Sequence, residues 1–445
     1  MTSRATLNKP SPGCASPHGA VCGVANPRHS PSYDSGLRLA SHPHAERAFP
    51  AGLIQRRPER AVRVSGLDLL RAIAILLVLA YHYAVVVGPQ PNLGVLTTFG
   101  WCGVDLFFVL SGYLIGKQVL AGVANSEGHG EAHGEGVSLG NFFARRLLRT
   151  LPNYLVVLTL YGCLPSELGG RHTAELWRFF TFTQNFGLQY GETFTHSWSL
   201  CIEEQFYLLL PLVVLAVARG KHAAKFCWAV LLAALFFGIA SRAHAFHANG
   251  FTSFSAEVYY GSATRFDELL PGVAIAMLRN FHPAVFQRAL KFANAWLVLG
   301  LLLVVICLRE WMSPDIQSFA STTFGFSLLA FGFGLLTLSA LSPESLLNRW
   351  QMPGAAQLAL WSYAIYLAHK PVYKLMADAL RGAAMATDTP LAMGVIVVTG
   401  VVAGWVLYRL VERPFMVLRA RWFPSNRATK RYGEAGALLG SGLRR

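Results

Sequence analysis

Long runs of hydrophobic residues alternate with short polar connections from about residue 65 to residue 411. About 20 apolar residues are enough for a helix to cross the ~30 Å hydrocarbon core of a bilayer, where backbone polar groups must be hydrogen-bonded within the protein. The pattern therefore predicts an all-α fold, a multipass transmembrane helical bundle of about ten helices. The predicted spans are 67–87, 101–120, 147–164, 198–218, 226–241, 261–278, 294–311, 318–341, 357–377 and 391–411.

The positions of the basic residues predict how this bundle is oriented. Lysine and arginine are concentrated in alternate connections and beyond the last span, whereas the loop GPQPNLGVLTTFG after the first span carries no charge. Cytoplasmic loops of membrane proteins carry an excess of lysine and arginine. We therefore expect both termini to be cytoplasmic.

The composition supports a membrane protein and argues against nucleic-acid binding. Of the 445 residues, 53% are hydrophobic and only 14% are charged, against about 25% charged in soluble domains. The net charge of +15 at pH 7 fits cytoplasmic loops, and no groove-reading motif accompanies it. The seven cysteines form no CxxC pair, so we expect neither a structural disulfide nor a bound metal.

The two ends of the chain differ from its hydrophobic centre. Residues 1–63 are rich in Pro, Ser, Gly and His, a composition that does not bury a core, and we interpret them as a disordered cytoplasmic tail. Residues 64–416 form the predicted transmembrane domain, and residues 417–445 form a basic cytoplasmic tail. The sequence does not indicate an oligomeric state.

The first span, SGLDLLRAIAILLVLAYHYAVVV, contains an arginine and a histidine within an apolar run. Ionisable side chains are costly in lipid and usually mark a functional interior. Arg71 and His82 are eleven residues apart, and eleven steps of about 100° bring them to nearly the same face, roughly 16 Å from each other. Taken alone, the segment is equally compatible with an interfacial arginine and a histidine bonded to a neighbouring helix.

Several other polar residues fall at the depth of His82 in the predicted orientation, near the outer ends of the second, fourth and ninth spans. A histidine beside a carboxylate is a general-base arrangement, because neutral imidazole accepts a proton from a hydroxyl group. Hydrogen bonds between helices are the structural alternative. The converging residues are Asp105, His196, Ser199, Glu203, Tyr207, Tyr366 and His369.

Helical phasing separates two adjacent glutamates in the fourth span. Glu203 shares a stripe with His196 and Ser199 at intervals of three or four residues. We therefore expect Glu203 to face the polar interior near His82. Glu204 points about 100° away, towards Cys201 and Leu208, and we expect it to have fewer partners along its own helix.

Basic residues at the start of the third span indicate a second kind of chemistry. The string FFARRLLRTLP places Arg145, Arg146 and Arg149 close together at the predicted cytoplasmic mouth of the helix. Guanidinium groups bind phosphates through bidentate hydrogen bonds. In isolation, ordinary anchoring by positive residues explains the same cluster.

Six strings in order make the chain resemble the acyltransferase-3 family of multipass membrane enzymes. These enzymes transfer acyl groups, often acetyl, to sugars of the bacterial envelope or to small glycosylated molecules. The resemblance covers roughly residues 65–415, and it includes the family's spacing of Arg71 and His82. The strings are LDLLRAIAILLVLAYHY, GVDLFFVLSGYLI, FARRLLRTLP, HSWSLCIEEQFYLLLP, SYAIYLAHKPV and VERPF.

The resemblance implies an O-acyltransferase of the bacterial inner membrane that uses cytoplasmic acyl-CoA, with acetyl-CoA as the expected donor. It implies that His82 is the catalytic base, that Arg71 lies on the donor path and that Glu203 supports the site. We place Asp105 in the same catalytic group.

The same resemblance implies two binding sites. Acyl-CoA is expected to bind Arg145, Arg146 and Arg149. A carbohydrate or glycolipid acceptor is expected on the other side. Its expected binding residues are His196, Trp198, Ser199, Tyr207, Tyr366 and His369.

Two features depart from the family pattern. Lys370 follows His369 where an aromatic residue is common, and no esterase-like domain follows the last predicted helix. Acceptor processing is therefore expected in the membrane domain or with a partner. The alternative function is a transporter that uses the same buried ionisable residues as a proton relay, although no internal repeat is visible.

Overall fold

The computed structural model describes residues 64–88, 93–124, 139–168, 170, 174–217, 222–250, 254–312 and 318–423. Every regular element in these ranges is a helix, which confirms the predicted all-α fold. The predicted N-terminal tail, residues 1–63, and residues 424–445 of the predicted C-terminal tail lie outside the described residues.

Helices α1 to α12 build the described part of the fold, and short helical segments connect them. The labelled helices are α1 Ser65–Val86, α2 Gly103–Ala124, α3 Leu139–Cys163, α4 Trp198–Val217, α5 Ala223–Asn249, α6 Leu270–Phe281, α7 Pro283–Lys291, α8 Ala293–Ile306, α9 Phe319–Ala340, α10 Ala355–Gly382, α11 Pro390–Leu407 and α12 Arg413–Trp422. The short segments are Val95–Phe99, Gly100–Cys102, Pro165–Leu168, Leu176–Phe180, Thr195–Ser197, Phe254–Tyr259, Ser262–Arg265, Phe266–Leu269, Cys307–Trp311, Leu346–Arg349 and Tyr408–Glu412.

Seven helical stretches of the described residues are long and apolar enough to cross a membrane. The pair Ser262–Phe281 and Pro283–Lys291, bent by 116°, would make an eighth. The predicted multipass architecture is therefore confirmed, with seven or eight such helices in place of ten. The third and ninth predicted spans form α3, of 25 residues, and α10, of 28 residues, both long enough to cross a bilayer but carrying more polar residues. The orientation of the termini stays a prediction.

Helix α1 joins the parts of the bundle that carry the polar residues. It packs against α2 and α10 and also contacts α9. Its apolar face is buried through Leu70, Ile75 and Val78, whereas Arg71 and His82 are half-buried. Both ionisable residues are therefore held on one continuous helix whose rotation is set by its buried face. The predicted boundary at residue 416 falls inside α12, so that helix continues from the bundle without a break.

Helices α2 and α6 approach each other through two glycines. A Cβ atom at Gly272 would overlap the carbonyl oxygen of Val109 and the amide nitrogen of Tyr113. A Cβ atom at Gly112 would overlap the carbonyl oxygen of Leu269. Small residues allow such close backbone approach between membrane helices, where dispersion contacts drive association. The position of α6, and of the charged segment just before it, depends on these glycines.

Substituting Gly272 with alanine should destabilise the fold, because an added methyl group forces α2 and α6 apart. Overpacking of this kind costs about 1–3 kcal/mol. Thermal unfolding of the purified protein in detergent measures the effect. Gly394→Ala in α11 is the matched control, because a Cβ there meets open space and alanine favours a helix by about 1 kcal/mol over glycine. An unchanged midpoint for Gly272→Ala would contradict the close packing.

Candidate functional site

Three histidines from separate parts of the sequence meet in one cluster. His82 lies on α1, His196 precedes α4 and His369 lies on α10. Their ring centroids are 4.8 Å apart for His82 and His369, 5.4 Å for His196 and His369, and 6.4 Å for His82 and His196. We call these residues the histidine cluster. The predicted convergence of these three residues is therefore present in the structure.

Backbone carbonyls orient all three rings. His82 Nδ1 lies 3.1 Å from the oxygen of Val78, and His369 Nδ1 lies 3.1 Å from the oxygen of Ile365. His196 Nε2 lies 3.1 Å from the oxygen of Leu367. A carbonyl oxygen only accepts hydrogen bonds, so in each neutral ring these nitrogens carry the proton. The opposite nitrogens therefore carry lone pairs.

Burial distinguishes the three histidines. The lone-pair nitrogens of His196 and His369, Nδ1 and Nε2 respectively, are buried without a hydrogen-bond partner. Both side chains are almost fully enclosed, whereas His82 is only half-buried. Of the three rings, His82 is thus the one that a molecule outside the core can reach. Its Nε2 atom can accept a proton.

Two further predicted residues support the histidine cluster. The Tyr366 hydroxyl donates a hydrogen bond to the backbone oxygen of His196, so it accepts from Ser199 Oγ at 2.7 Å. The Tyr366 ring lies 5.9 Å from the His369 ring. Because these hydroxyls are already paired within the protein, they position the cluster.

Glu203 belongs to a different environment from the one the sequence indicates. Its Oε1 accepts a hydrogen bond of 2.7 Å from Ser111, and its nearest positive charges are Arg71 and Arg146. His82 Nδ1 is bonded to the Val78 carbonyl, and the support of His82 by Glu203 stays a prediction. Glu203 comes seven residues after His196, about 10 Å further along a helix, which carries it away from the histidines.

Glu204 has partners on another helix. It interacts with Arg146 and Arg149 of α3. The Arg146 guanidinium lies 3.9 Å from the centre of the Tyr207 ring, so Tyr207 is also on this side and away from the histidine cluster. Both glutamates interact with Arg146, whose side chain reaches α4 from α3.

These charges form an arginine cluster near the start of α1. Its arginines come from three helices: Arg71 from α1, Arg145, Arg146 and Arg149 from α3, and Arg419 from α12. The Nε atoms of Arg71, Arg146 and Arg419 are buried without a hydrogen-bond partner. The five arginines outnumber the neighbouring carboxylates Asp68, Glu203, Glu204 and Glu412. An excess of arginines, three of them with an unpaired Nε atom, favours an anionic ligand.

Residues from the end of the fold take part in this cluster, and sequence reasoning missed them. Asn153 donates a hydrogen bond of 2.9 Å to Glu412, which interacts with Arg149 and Arg419. Arg145 donates to the backbone oxygen of Phe423 and so also faces the last helix. The string VERPF contains Glu412, but no sequence signal pointed to Arg419.

Asp105 is held in a separate buried ion cluster, and its catalytic role stays a prediction. Asp105 accepts a hydrogen bond of 2.8 Å from Arg265, which also pairs with Glu268. The Arg265 guanidinium lies 4.0 Å from the ring centre of Phe326 and 5.0 Å from that of Trp198. Asp105 therefore pairs with Arg265, and the Trp198 ring lies against the same guanidinium group. Neither side chain faces the histidine cluster directly.

Next to this ion cluster lies a second buried pair that the sequence did not reveal. Arg242 binds Asp267 in a bidentate manner, with distances of 2.7 and 2.9 Å. Ser327 donates a further hydrogen bond of 2.6 Å to the same carboxylate. The only signal was the charged string TRFDELL within an apolar region. These pairs connect α5, α9 and the segment before α6.

The described residues include no group of three or more His, Cys, Asp or Glu side chains arranged to hold a metal ion. In the histidine cluster, each ring uses one nitrogen for a hydrogen bond to a backbone carbonyl: Nδ1 in His82 and His369, and Nε2 in His196.

Comparison with known proteins identifies relatives of the chain. A family model described as an acyltransferase domain matches residues 64–409. The chain is 26% identical over 325 residues to the O-acetyltransferase OatA of Staphylococcus aureus strain NCTC 8325, and a candidate O-acetyltransferase of strain COL is 27% identical over 335 residues. Each alignment covers 69% of this chain and 50% of the relative, so the chain spans half the length of these curated relatives. No solved structure matches it.

Proposed function

The chain belongs to the acyltransferase family whose model matches residues 64–409, and from this membership we propose that it is a membrane-embedded O-acyltransferase. The donor is acyl-CoA, with acetyl as the simplest acyl group, and the acceptor is a hydroxyl group of a carbohydrate or glycolipid. The protein lies in the bacterial inner membrane with the arginine cluster towards the cytoplasm. The O-acetyltransferase names of the relatives support the choice of acetyl.

The observation that carries this proposal is the position of His82 on the same helix as Arg71. The half-buried ring has its Nδ1 proton bonded to Val78, which leaves Nε2 as a base. Eleven residues of α1, about 16 Å, separate it from the arginine cluster. An acyl-CoA molecule bound by its phosphates at the arginines extends its thioester arm along α1 towards His82.

His82 acts as general base in a direct transfer. Nε2 takes the proton from the acceptor hydroxyl as its oxygen attacks the thioester carbonyl. The tetrahedral intermediate collapses, the carbon–sulfur bond breaks, and the imidazolium returns the proton to the leaving CoA thiolate. The Nδ1–H bond to the Val78 carbonyl stabilises the imidazolium in the role that a carboxylate has in other sites.

Purified protein in lipid nanodiscs with labelled acetyl-CoA tests the proposal directly. We expect release of free CoA in step with formation of a covalent O-acetyl product. The same protein in sealed vesicles tests the transporter alternative. A transporter would move the acceptor across the bilayer without modifying it. Translocation without any covalent product would overturn the enzyme assignment.

Arg146→Gln and Arg419→Gln should each raise the KM for acyl-CoA about 10- to 100-fold, because hydrogen bonds to charged groups are worth about 1.5–3 kcal/mol. We expect little change with an acetyl thioester of N-acetylcysteamine, which lacks the nucleotide phosphates. Steady-state kinetics with both donors measures this difference. The control is Arg288→Gln, an exposed residue on α7. An equal loss of activity with both donors would show that these arginines act in folding or in the chemical step and do not bind the phosphates.

A further inference from the structure

Helix α7 is a short helix between α6 and the membrane-crossing helix α8. It follows α6 after a bend of 116°, and α8 begins two residues after it ends. Its polar residues Gln287, Arg288 and Lys291 are all exposed, and such side chains are costly in the hydrocarbon core. With α6 standing in the membrane, the bend and the polar residues lay α7 along the membrane surface.

Two tryptophans hold α7 from the neighbouring helices. The Trp228 indole of α5 donates a hydrogen bond of 3.2 Å to Nε2 of His282, the residue before α7, and the two rings stack with centroids 6.3 Å apart. The Trp296 indole of α8 donates a hydrogen bond of 2.8 Å to the backbone oxygen of Ala289 in α7. Tryptophan is enriched at the interface between membrane and water. Both contacts therefore fit a helix at that interface.

The surface of α7 is divided into three stripes. Phe286 is enclosed by the protein core, whereas Arg288 and Lys291 lie on the opposite, polar side. Val285 and Phe292 are seven residues apart, which places them together on the edge between these two sides. They are 49% and 61% exposed. The helix thus presents apolar surface outside the protein as well as inside it.

The helix that follows shows what surrounds this exposed apolar edge. On α8, which begins directly after Phe292, the exposed residues Val298, Leu302 and Val305 share one face. A membrane-crossing helix exposes such a face to lipid chains, because the hydrocarbon of the bilayer is its solvent. Lipid is therefore the natural neighbour of Val285 and Phe292.

The basic residues of α7 have no partner within the protein. In the described part of the chain, the side chains of Arg288 and Lys291 form no ion pair and no hydrogen bond. The same is true of Lys225, which is exposed in the first turn of α5. The sequence has no Asp or Glu from residue 269 to residue 309, and the exposed Glu344 between α9 and α10 pairs with none of these cations. Their charge is left for an anion from outside.

The positions of Arg288 and its neighbours specify the kind of anion. A guanidinium group binds phosphate oxygens in a bidentate manner, and an ammonium group adds a compact charge. Arg288 is three residues from both Val285 and Lys291, so a phosphate bound there has apolar surface beside it. A phospholipid supplies a phosphate and acyl chains together, whereas a free phosphate leaves the apolar edge uncovered. Basic amphipathic helices bind anionic bilayers in this way.

We propose that α7 is an interfacial anchor that binds the head group of an anionic phospholipid through Arg288 and Lys291, while Val285 and Phe292 lie against its acyl chains. Lys225 adds positive charge at the start of α5. Because α7 is joined to α6 and hydrogen-bonded to α5 and α8, a bound lipid holds these helices together and stabilises the fold. The anchor does not depend on the proposed acyl transfer.

Thermal unfolding of the full chain in lipid nanodiscs tests the proposal. The nanodiscs contain phosphatidylcholine, which has no net charge, either alone or mixed with anionic phosphatidylglycerol. We expect phosphatidylglycerol to raise the unfolding midpoint of the wild-type protein. The double variant Arg288→Gln/Lys291→Gln should lose most of that rise and keep the wild-type midpoint in phosphatidylcholine alone. The matched control is Arg309→Gln, an exposed arginine beside Glu310 at the other end of α8, which should keep the full rise.

Native mass spectrometry of the detergent-solubilised protein with added phosphatidylglycerol measures binding directly. From the usual contribution of a basic residue at an anionic membrane surface, Arg288→Gln should weaken binding about 5-fold and the double variant about 20- to 30-fold. Phe292→Ser should also weaken it, because the apolar edge is lost. Glycerol 3-phosphate, which has the phosphate without acyl chains, should not compete.

Four outcomes would overturn the anchor. They are equal stability of the wild-type protein in both kinds of nanodisc, an undiminished rise in the double variant, equal weakening by Arg309→Gln and Arg288→Gln, and displacement of the lipid by glycerol 3-phosphate. The last would show a site for soluble phosphates. Acyl transfer by protein with no preference for anionic lipid would leave the proposed function intact.

Discussion

Replacing His82 with alanine should lower acyl transfer on the order of 10²–10⁴-fold, the usual contribution of a general base. The ring is the reachable member of the histidine cluster, and its Nδ1 bond to Val78 leaves Nε2 free to take a proton. His196 and His369 are enclosed by the protein and cannot replace it at the acceptor hydroxyl. The loss should therefore appear in kcat, with the KM for acyl-CoA largely unchanged.

The measurement is product formed per folded molecule, with folding checked by monodispersity in detergent. His222→Ala, an exposed histidine at the start of α5, is the control and should retain the wild-type rate. Added imidazole should restore part of the activity of His82→Ala if the missing group is a base. A wild-type rate for His82→Ala would show that this histidine is not the general base.

Replacing Arg265 with glutamine should destabilise the protein by about 3–5 kcal/mol, the cost of leaving a buried charge without its partner. Arg265 is fully buried and binds both Asp105 and Glu268, so its loss leaves two enclosed carboxylates together. Thermal unfolding and the yield of monodisperse protein report the change. Lys374→Gln, which breaks a solvent-exposed pair with Asp378, should cost at most about 1 kcal/mol.

Asp105→Asn separates a structural role from a catalytic one for that residue. It leaves Arg265 paired with Glu268, so we expect a milder loss of stability and nearly normal turnover per folded molecule. A strong loss of turnover in well-folded Asp105→Asn protein would show that this carboxylate takes part in the reaction. Normal stability of Arg265→Gln would contradict the ion cluster as a structural element.

The helices and their polar positions could be predicted because both depend on local sequence. A bilayer allows only segments that satisfy their own backbone hydrogen bonds, so apolar runs of sufficient length become helices. The spacing of Arg71 and His82 on one helix needs no knowledge of other helices. The same holds for Arg146 and Arg149 at the start of α3. These features are present in the structure, together with the meeting of His82, His196 and His369.

The partners of each charged residue depend on how the helices pack, and here the sequence was insufficient. It paired Glu203 with His82 and placed Asp105 in the same group, whereas the structure pairs Glu203 with Ser111 and Asp105 with Arg265. It also gave no sign that Arg419 would join the arginine cluster. The sequence places a residue at a given depth in the membrane only to within about one helical turn, 5.4 Å. A hydrogen bond requires its two heavy atoms to lie within about 3 Å of each other. The rotation and axial offset of neighbouring helices decide that distance, and close contacts between helices, such as those of α2 and α6 at Gly112 and Gly272, set both.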